Sequence, residues 1–140
     1  MNDRFFLDTN VIVYSFDNHS KAKRDKARDL IAEALSSGNG IISFQVVQEF
    51  LNIATSKFKK PLTIKDTREY MEEILLPLCT IFPGNDFYLN SLEIEERTGY
   101  SFYDSMIVQA ALEGECRILY SEDMQDGFKL FDLTIQNPFN

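Results

Sequence analysis

The sequence predicts a wound α/β domain built on a mainly parallel sheet of about five strands. Short β-rich runs alternate with helix-period segments, the pattern of βαβ units, and no repeat, low-complexity stretch or linker divides the 140 residues. Strands are expected at about Arg4 to Leu7, Gly40 to Ser43, Cys79 to Phe82, Arg117 to Tyr120 and Leu133 to Gln136. Between the first two lies a helix from about Ser20 to Ser37, on which Ala27, Leu30, Ile31, Ala34 and Leu35 form one apolar stripe and which Gly38 stops. A second helix runs from about Phe44 to Phe58, with Val47, Phe50, Leu51 and Ala54 on its stripe and Pro61 preventing continuation. Thr63 caps a third through Leu75. A fourth spans Asp86 to Thr98 before Gly99, and a fifth Asp104 to Glu113 before Gly114.

One domain covering residues 1–140 is expected, long enough to bury a core without disulfides or a structural metal. The chain is 44% apolar, yet no apolar run approaches the roughly 20 residues of a membrane span. The beginning of the sequence lacks a basic region followed by a signal-type apolar stretch, so a soluble cytoplasmic protein is expected. Cys79 and Cys116 lie far apart in sequence and are read as reduced core residues. A net charge of −8 argues against a protein that holds nucleic acid through a broad basic surface. Positive charge gathers at Lys21, Lys23, Arg24, Lys26 and Arg28 and again at Lys57, Lys59 and Lys60. Both runs read first as solvated helix surface, with phosphate contact as the alternative.

Four carboxylates stand at or beside the ends of apolar segments: Asp8 in FFLDTNVIVY, Glu49 in ISFQVVQEFL, Asp104 in YSFYDSMIVQAA and Asp123 in RILYSED. Strand ends and helix starts of one wound sheet converge on one edge, where ligands bind. Each acid also has an ordinary reading: a cap for Asp8 and Asp104, an exposed stripe edge for Glu49, a turn for Asp123. Together in one cleft they would repel one another, and a divalent cation relieves that repulsion. Oxygen-only donors favour Mg²⁺ or Mn²⁺ over zinc. Thr9, Asn10, Ser43 and Ser121 lie where hydroxyl and amide groups can orient carboxylates or bound water, and ordinary turn and cap roles explain them equally well. His19 reads as a loop residue.

Taken in order, LDTNVIVY, QVVQEF, SFYDSMIVQAA, YSEDMQDGF and IQNPF resemble the PIN-domain nucleases, especially the VapC-like toxins, over nearly the whole chain. The resemblance implies a three-layer α/β/α fold and Mg²⁺- or Mn²⁺-dependent endoribonuclease activity. Single-stranded or loop RNA is the expected substrate, because its bases and backbone can be splayed into a cleft. It implies catalytic and metal-binding roles for Asp8, Glu49, Asp104 and Asp123, with Asp126 matching a further acid less uniformly present. It also implies a homodimer and an antitoxin partner. A non-catalytic RNA-binding or scaffold domain of the same fold is the alternative. Glu122 departs from the pattern, since many relatives carry a basic or neutral residue between the hydroxyl and the aspartate.

Overall fold

The computed structural model describes residues 3–140. The central strand β1 (Phe5–Leu7) is buried at every residue, as is its neighbour β2 (Gly40–Ser43). Successive side chains of a strand point to opposite faces, so uninterrupted burial requires helices on both sides of the sheet. The sheet has the order β3 (Cys79–Ile81), β2, β1, β4 (Ile118–Tyr120), β6 (Leu133–Gln136), β5 (Lys129–Leu130). All pairings are parallel except β5 with β6. The chain winds outward from β1 through β2 to β3, then crosses to the other side of β1 to lay down β4. That reversal puts the topological switch between the C-terminal ends of β1 and β4.

Helix α1 (Thr9–Tyr14) follows β1 immediately, and α2 (Lys21–Ser37) returns the chain to β2, capped by Ser20 and stopped by Gly38 at φ 74°. α3 (Phe44–Ser56) leaves β2 without a loop. Its Phe50 is fully buried and meets the rings of Phe16, Phe58 and Tyr70, which fixes the helix's rotation. α4 (Ile64–Tyr70) passes through a π-helical turn (Met71–Leu75) into α5 (Leu76–Leu78). The helix therefore outruns its expected end at Leu75 and continues to β3. The widened turn lies just ahead of Pro77, which has no N–H to donate. α6 (Phe87–Thr98) packs on α7 (Phe102–Glu113).

Two local expectations are corrected. α7 begins two residues before Asp104, because the Ser101 hydroxyl accepts the Asp104 N–H at 3.1 Å and is the true N-cap. The short strand β5 was not anticipated; its hairpin turn places Phe131 at φ 53°, a conformation usually signalled by Gly or Asn. The Arg97 guanidinium lies 5.1 Å from the Phe131 ring centre. Both cysteines are free and buried, and burial pushes the Cys116 thiol up to about 12. No helix among the described residues is long and apolar enough to cross a membrane.

Gly40 shows how closely α2 lies on the sheet. A Cβ built there would stand 2.2 Å from the Ala34 Cβ and 2.7 Å from both the Ala34 Cα and the Phe5 ring. Backbone cannot yield as a flexible side chain can. Gly40→Ala is expected to destabilise by about 2 kcal/mol or more, and its urea midpoint relative to wild type measures this.

Candidate active site

Asp8 directly follows β1 and caps α1. Its Oδ1 accepts the Thr9 N–H at 2.7 Å, and its Oδ2 accepts the Ser121 hydroxyl at 2.7 Å. Its backbone N–H bonds the Tyr120 carbonyl at 3.0 Å, carrying the β1–β4 ladder to the brink of the cleft. Oδ1 thus serves the cap of α1 while Oδ2 is held by Ser121, just past the end of β4. Glu49 occupies the middle of α3, held by the Thr9 hydroxyl, which donates to Oε1 at 2.7 Å. Asp104, relieved of capping by Ser101, presents its carboxylate from the first turn of α7. Asp123 stands in the loop after β4, where its Oδ2 accepts from Asn10 Nδ2 at 3.1 Å and its N–H bonds Ser121 Oγ at 3.2 Å.

All four carboxylates line one cavity of about 470 Å³, together with Thr9, Asn10, Val13, Tyr14, Gln45, Asn52, Ile53, Lys57 and Ile107. A larger groove of about 710 Å³ between α6, α7 and the β5–β6 turn gathers none of them. Gln45 fixes two walls to each other: its Nε2 donates to the Tyr103 carbonyl at 3.1 Å, tying α3 to the first turn of α7. Of the anticipated supporting groups, Thr9, Asn10 and Ser121 contact the acids. Ser43 does not line the cavity; it is fully buried, and its hydroxyl has no hydrogen-bond partner among the described residues. Asp126 also lies outside it. Its carboxylate accepts from the Asn137 N–H at 2.9 Å and Asn140 Nδ2 at 3.2 Å, fastening the last residues of the chain. His19 is exposed in the loop before α2.

Burial drives the electrostatics. Asp8 is 6% exposed, and desolvation raises its pKa from 3.8 to about 7 against the lowering effect of Ser121 and Thr9, with Glu49 and Asp123 adding repulsion. Asp104 is pushed up by desolvation and by Asp123, with Ser101 opposing. A cleft that disfavours its own negative charge is stabilised by a cation. The donor set is oxygen throughout, with neither cysteine nor His19 among the lining residues, which fits a hard divalent ion. Among the described residues, no three His, Cys, Asp or Glu side chains converge into a ready-made cage. Mg²⁺ keeps several waters and takes only one or two carboxylates directly, so a spread set still suits it.

Sequence reading did not find Gln45, Asn52 or Lys57 as wall residues. They stand at i−4, i+3 and i+8 from Glu49, on or just past α3, so helical spacing counted from that acid was the available signal. Lys57 had been grouped with the solvated basic run. It lines the acidic cavity and makes no ion pair with a described residue.

A carboxylate-lined cleft at the switch point of a parallel sheet, walled by the first turns of two helices, is the architecture of a PIN domain. The chain belongs to the PIN domain family, whose model matches residues 5–130. This is a family of nucleases that generally depend on a divalent metal. Among solved structures, the chain is similar to a toxin-antitoxin complex from Klebsiella pneumoniae, with a TM-score of 0.68 at 16% identity over 95% of this chain and 96% of that one. It is also similar to VapBC-1 from nontypeable Haemophilus influenzae, with a TM-score of 0.62 at 21% identity over 97% and 98%. VapBC2 from Rickettsia felis, bound to a promoter DNA fragment, gives a TM-score of 0.60 at 20% identity over 95% and 97%. A search of curated protein sequences gave no match.

Proposed function

We propose that this protein is a Mg²⁺- or Mn²⁺-dependent endoribonuclease, the VapC-like toxin of a type II toxin-antitoxin pair. The observation that carries the reading is the convergence of Asp8, Glu49, Asp104 and Asp123 on one cavity of a PIN domain. Asp8, Asp104 and Asp123 would hold the ion, with Glu49 holding it directly or through water. The bound ion would lower the pKa of a water and stabilise charge developing on the phosphate. Glu49, aligned by Thr9, accepts the proton of the attacking water. The water oxygen bonds phosphorus as the bond to the 3′ oxygen breaks and that oxygen takes a proton from solvent, leaving a 5′-phosphate and a 3′-hydroxyl. Unpaired RNA suits the open cleft because its backbone can be splayed into it.

Lys57 supplies the cation for a flanking phosphate. Lys57→Ala is expected to raise KM about 3- to 10-fold with little change in kcat, and to flatten the salt dependence of binding by about one phosphate contact. Steady-state kinetics at several KCl concentrations checks this.

The toxin-antitoxin and VapBC neighbours support an antitoxin as protein partner. In this reading a segment of the antitoxin fills the cleft and sets a basic side chain among the acids. A homodimer is the proposed assembly, and the exposed Leu89 and Leu92 of α6, neither of them in the lining of the acidic cavity, offer apolar surface for it. A cytoplasmic location completes the reading. The second reading, a non-catalytic RNA-binding or scaffold domain, draws on the absence of a preformed cage among the described residues.

The test is incubation of purified protein with a mixed RNA pool and a matched DNA pool in Mg²⁺, Mn²⁺ or EDTA. RNA cutting that EDTA abolishes, with ends ligatable through a 5′-phosphate, is expected. Cutting indifferent to EDTA overturns the metal dependence, and no cutting in either metal overturns the nuclease reading in favour of the second.

A further inference from the structure

Asp123 is the one carboxylate of the four held by a loop rather than by a strand end or helix, and it is exposed. Beside the Ser121 contact, the loop is held by its neighbour Glu122. The Glu122 carboxylate accepts the Tyr14 hydroxyl through Oε1 and pairs with Lys23 Nζ through Oε2 at 2.7 Å. The backbone N–H of Glu122 donates to Asn10 Oδ1 at 3.2 Å, and the same Asn10 side chain donates to Asp123 Oδ2 at 3.1 Å. Lys23 also lies 4.6 Å from the Tyr14 ring centre, and Phe139 packs edge-on against Tyr14 at 4.9 Å. One side chain thereby joins the loop after β4 to both α1 and α2. Glu122 is turned to these partners and is absent from the cavity lining.

We infer that Glu122, Lys23 and Tyr14 form a clamp that positions Asp123 for cation binding, so that Glu122 and Lys23 are positioning residues and not a fifth ligand and a substrate contact. The inference rests on the metal reading of the cleft. It explains how an added acid is tolerated beside Asp123: Lys23 neutralises it, and its remaining oxygen is used by Tyr14. An unclamped loop would let Asp123 and Asn10 part, and the ion would lose a donor without any donor being mutated.

The test is Mn²⁺ titration by calorimetry of the full chain, with thermal melting alongside. Wild type is expected to take up Mn²⁺ and Asp104→Asn to lose it. Glu122→Gln and Lys23→Met are each expected to weaken Mn²⁺ affinity about 3- to 10-fold. The double variant should be no weaker than either single one within roughly twofold, because both changes break one contact. Lys23→Arg should restore affinity, and cleavage by Glu122→Gln, Lys23→Met and their double variant at saturating Mn²⁺ should match wild type. Tighter binding in Lys23→Met with abolished binding in Glu122→Gln would make Glu122 a ligand and overturn the clamp. Unchanged affinity with only a lowered melting temperature would reduce the network to a structural tie and overturn it too. A wild type that binds no Mn²⁺ locates the failure in the metal reading, which takes the clamp with it.

Discussion

Asp104→Asn is expected to abolish metal-dependent RNA cleavage, with a loss on the order of a thousandfold, beyond the roughly 10- to 100-fold that changes in outer supporting groups cost. The fold should survive, because Ser101 and not Asp104 caps α7. Asparagine keeps the size of the side chain and removes only the charge. A melting temperature within a few degrees of wild type, together with lost cleavage and lost Mn²⁺ uptake, is the expected combination. Ser121→Ala supplies the contrast. It removes the hydroxyl that donates to Asp8 and accepts from the Asp123 N–H, and so loosens two acids without deleting either. Its loss should fall near tenfold and be partly recovered by raising Mn²⁺. Cleavage retained by Asp104→Asn at the wild-type rate would remove Asp104 from the site.

The two central strands announced themselves because burial on both faces leaves a run without exposed polar alternation, as in FFL and the GII of GIIS. The acid positions were legible for a related reason: a charged residue directly after such a run has to emerge at a strand end. β5 was illegible because two residues carry no alternation, and because its turn uses Phe131 where Gly or Asn would have signalled it. The start of α7 was displaced toward the residue of greater chemical interest. Ser101 followed by Asp104 reads as a capping pair once the helix is allowed to begin earlier. Lys57 and Glu122 show the limit of reading charge along a line. The first sits in a basic run and the second in an acidic turn, yet the fold turns Lys57 into the acidic cavity and Glu122 away from it, onto Lys23. Those assignments depend on helix rotation and loop path, which the aromatic packing around Phe50 and Tyr14 sets in three dimensions.

The second large effect concerns stability and pH. The Asp8 carboxyl has its pKa raised by burial from 3.8 to about 7 in the metal-free protein. A raised acid holds its proton in the folded state while the unfolded chain has released it. Between about pH 4 and pH 7 the folded state therefore binds more protons than the unfolded one, and stability falls as pH rises. The full penalty applies above about pH 8, and a shift of this size corresponds to about 4 kcal/mol as an upper figure. Asp8→Asn removes it while keeping a good N-cap for α1. The variant should be more stable than metal-free wild type by roughly 2 kcal/mol or more at pH 8 and nearly equal to it at pH 4, as read by urea unfolding in EDTA. The same ionisation governs metal uptake, because only the charged form attracts a cation. Mn²⁺ affinity should climb toward tenfold per pH unit below about pH 7 and level off above it, with close to one proton released per ion at pH 6. Added Mn²⁺ should stabilise wild type at pH 8 and leave Asp8→Asn unmoved. A wild type whose metal-free stability is flat from pH 5 to pH 8 would mean that Asp8 ionises at its ordinary value. Water would then already reach the floor of the cleft, and the buried, charge-starved acid would no longer be the reason this site attracts a cation.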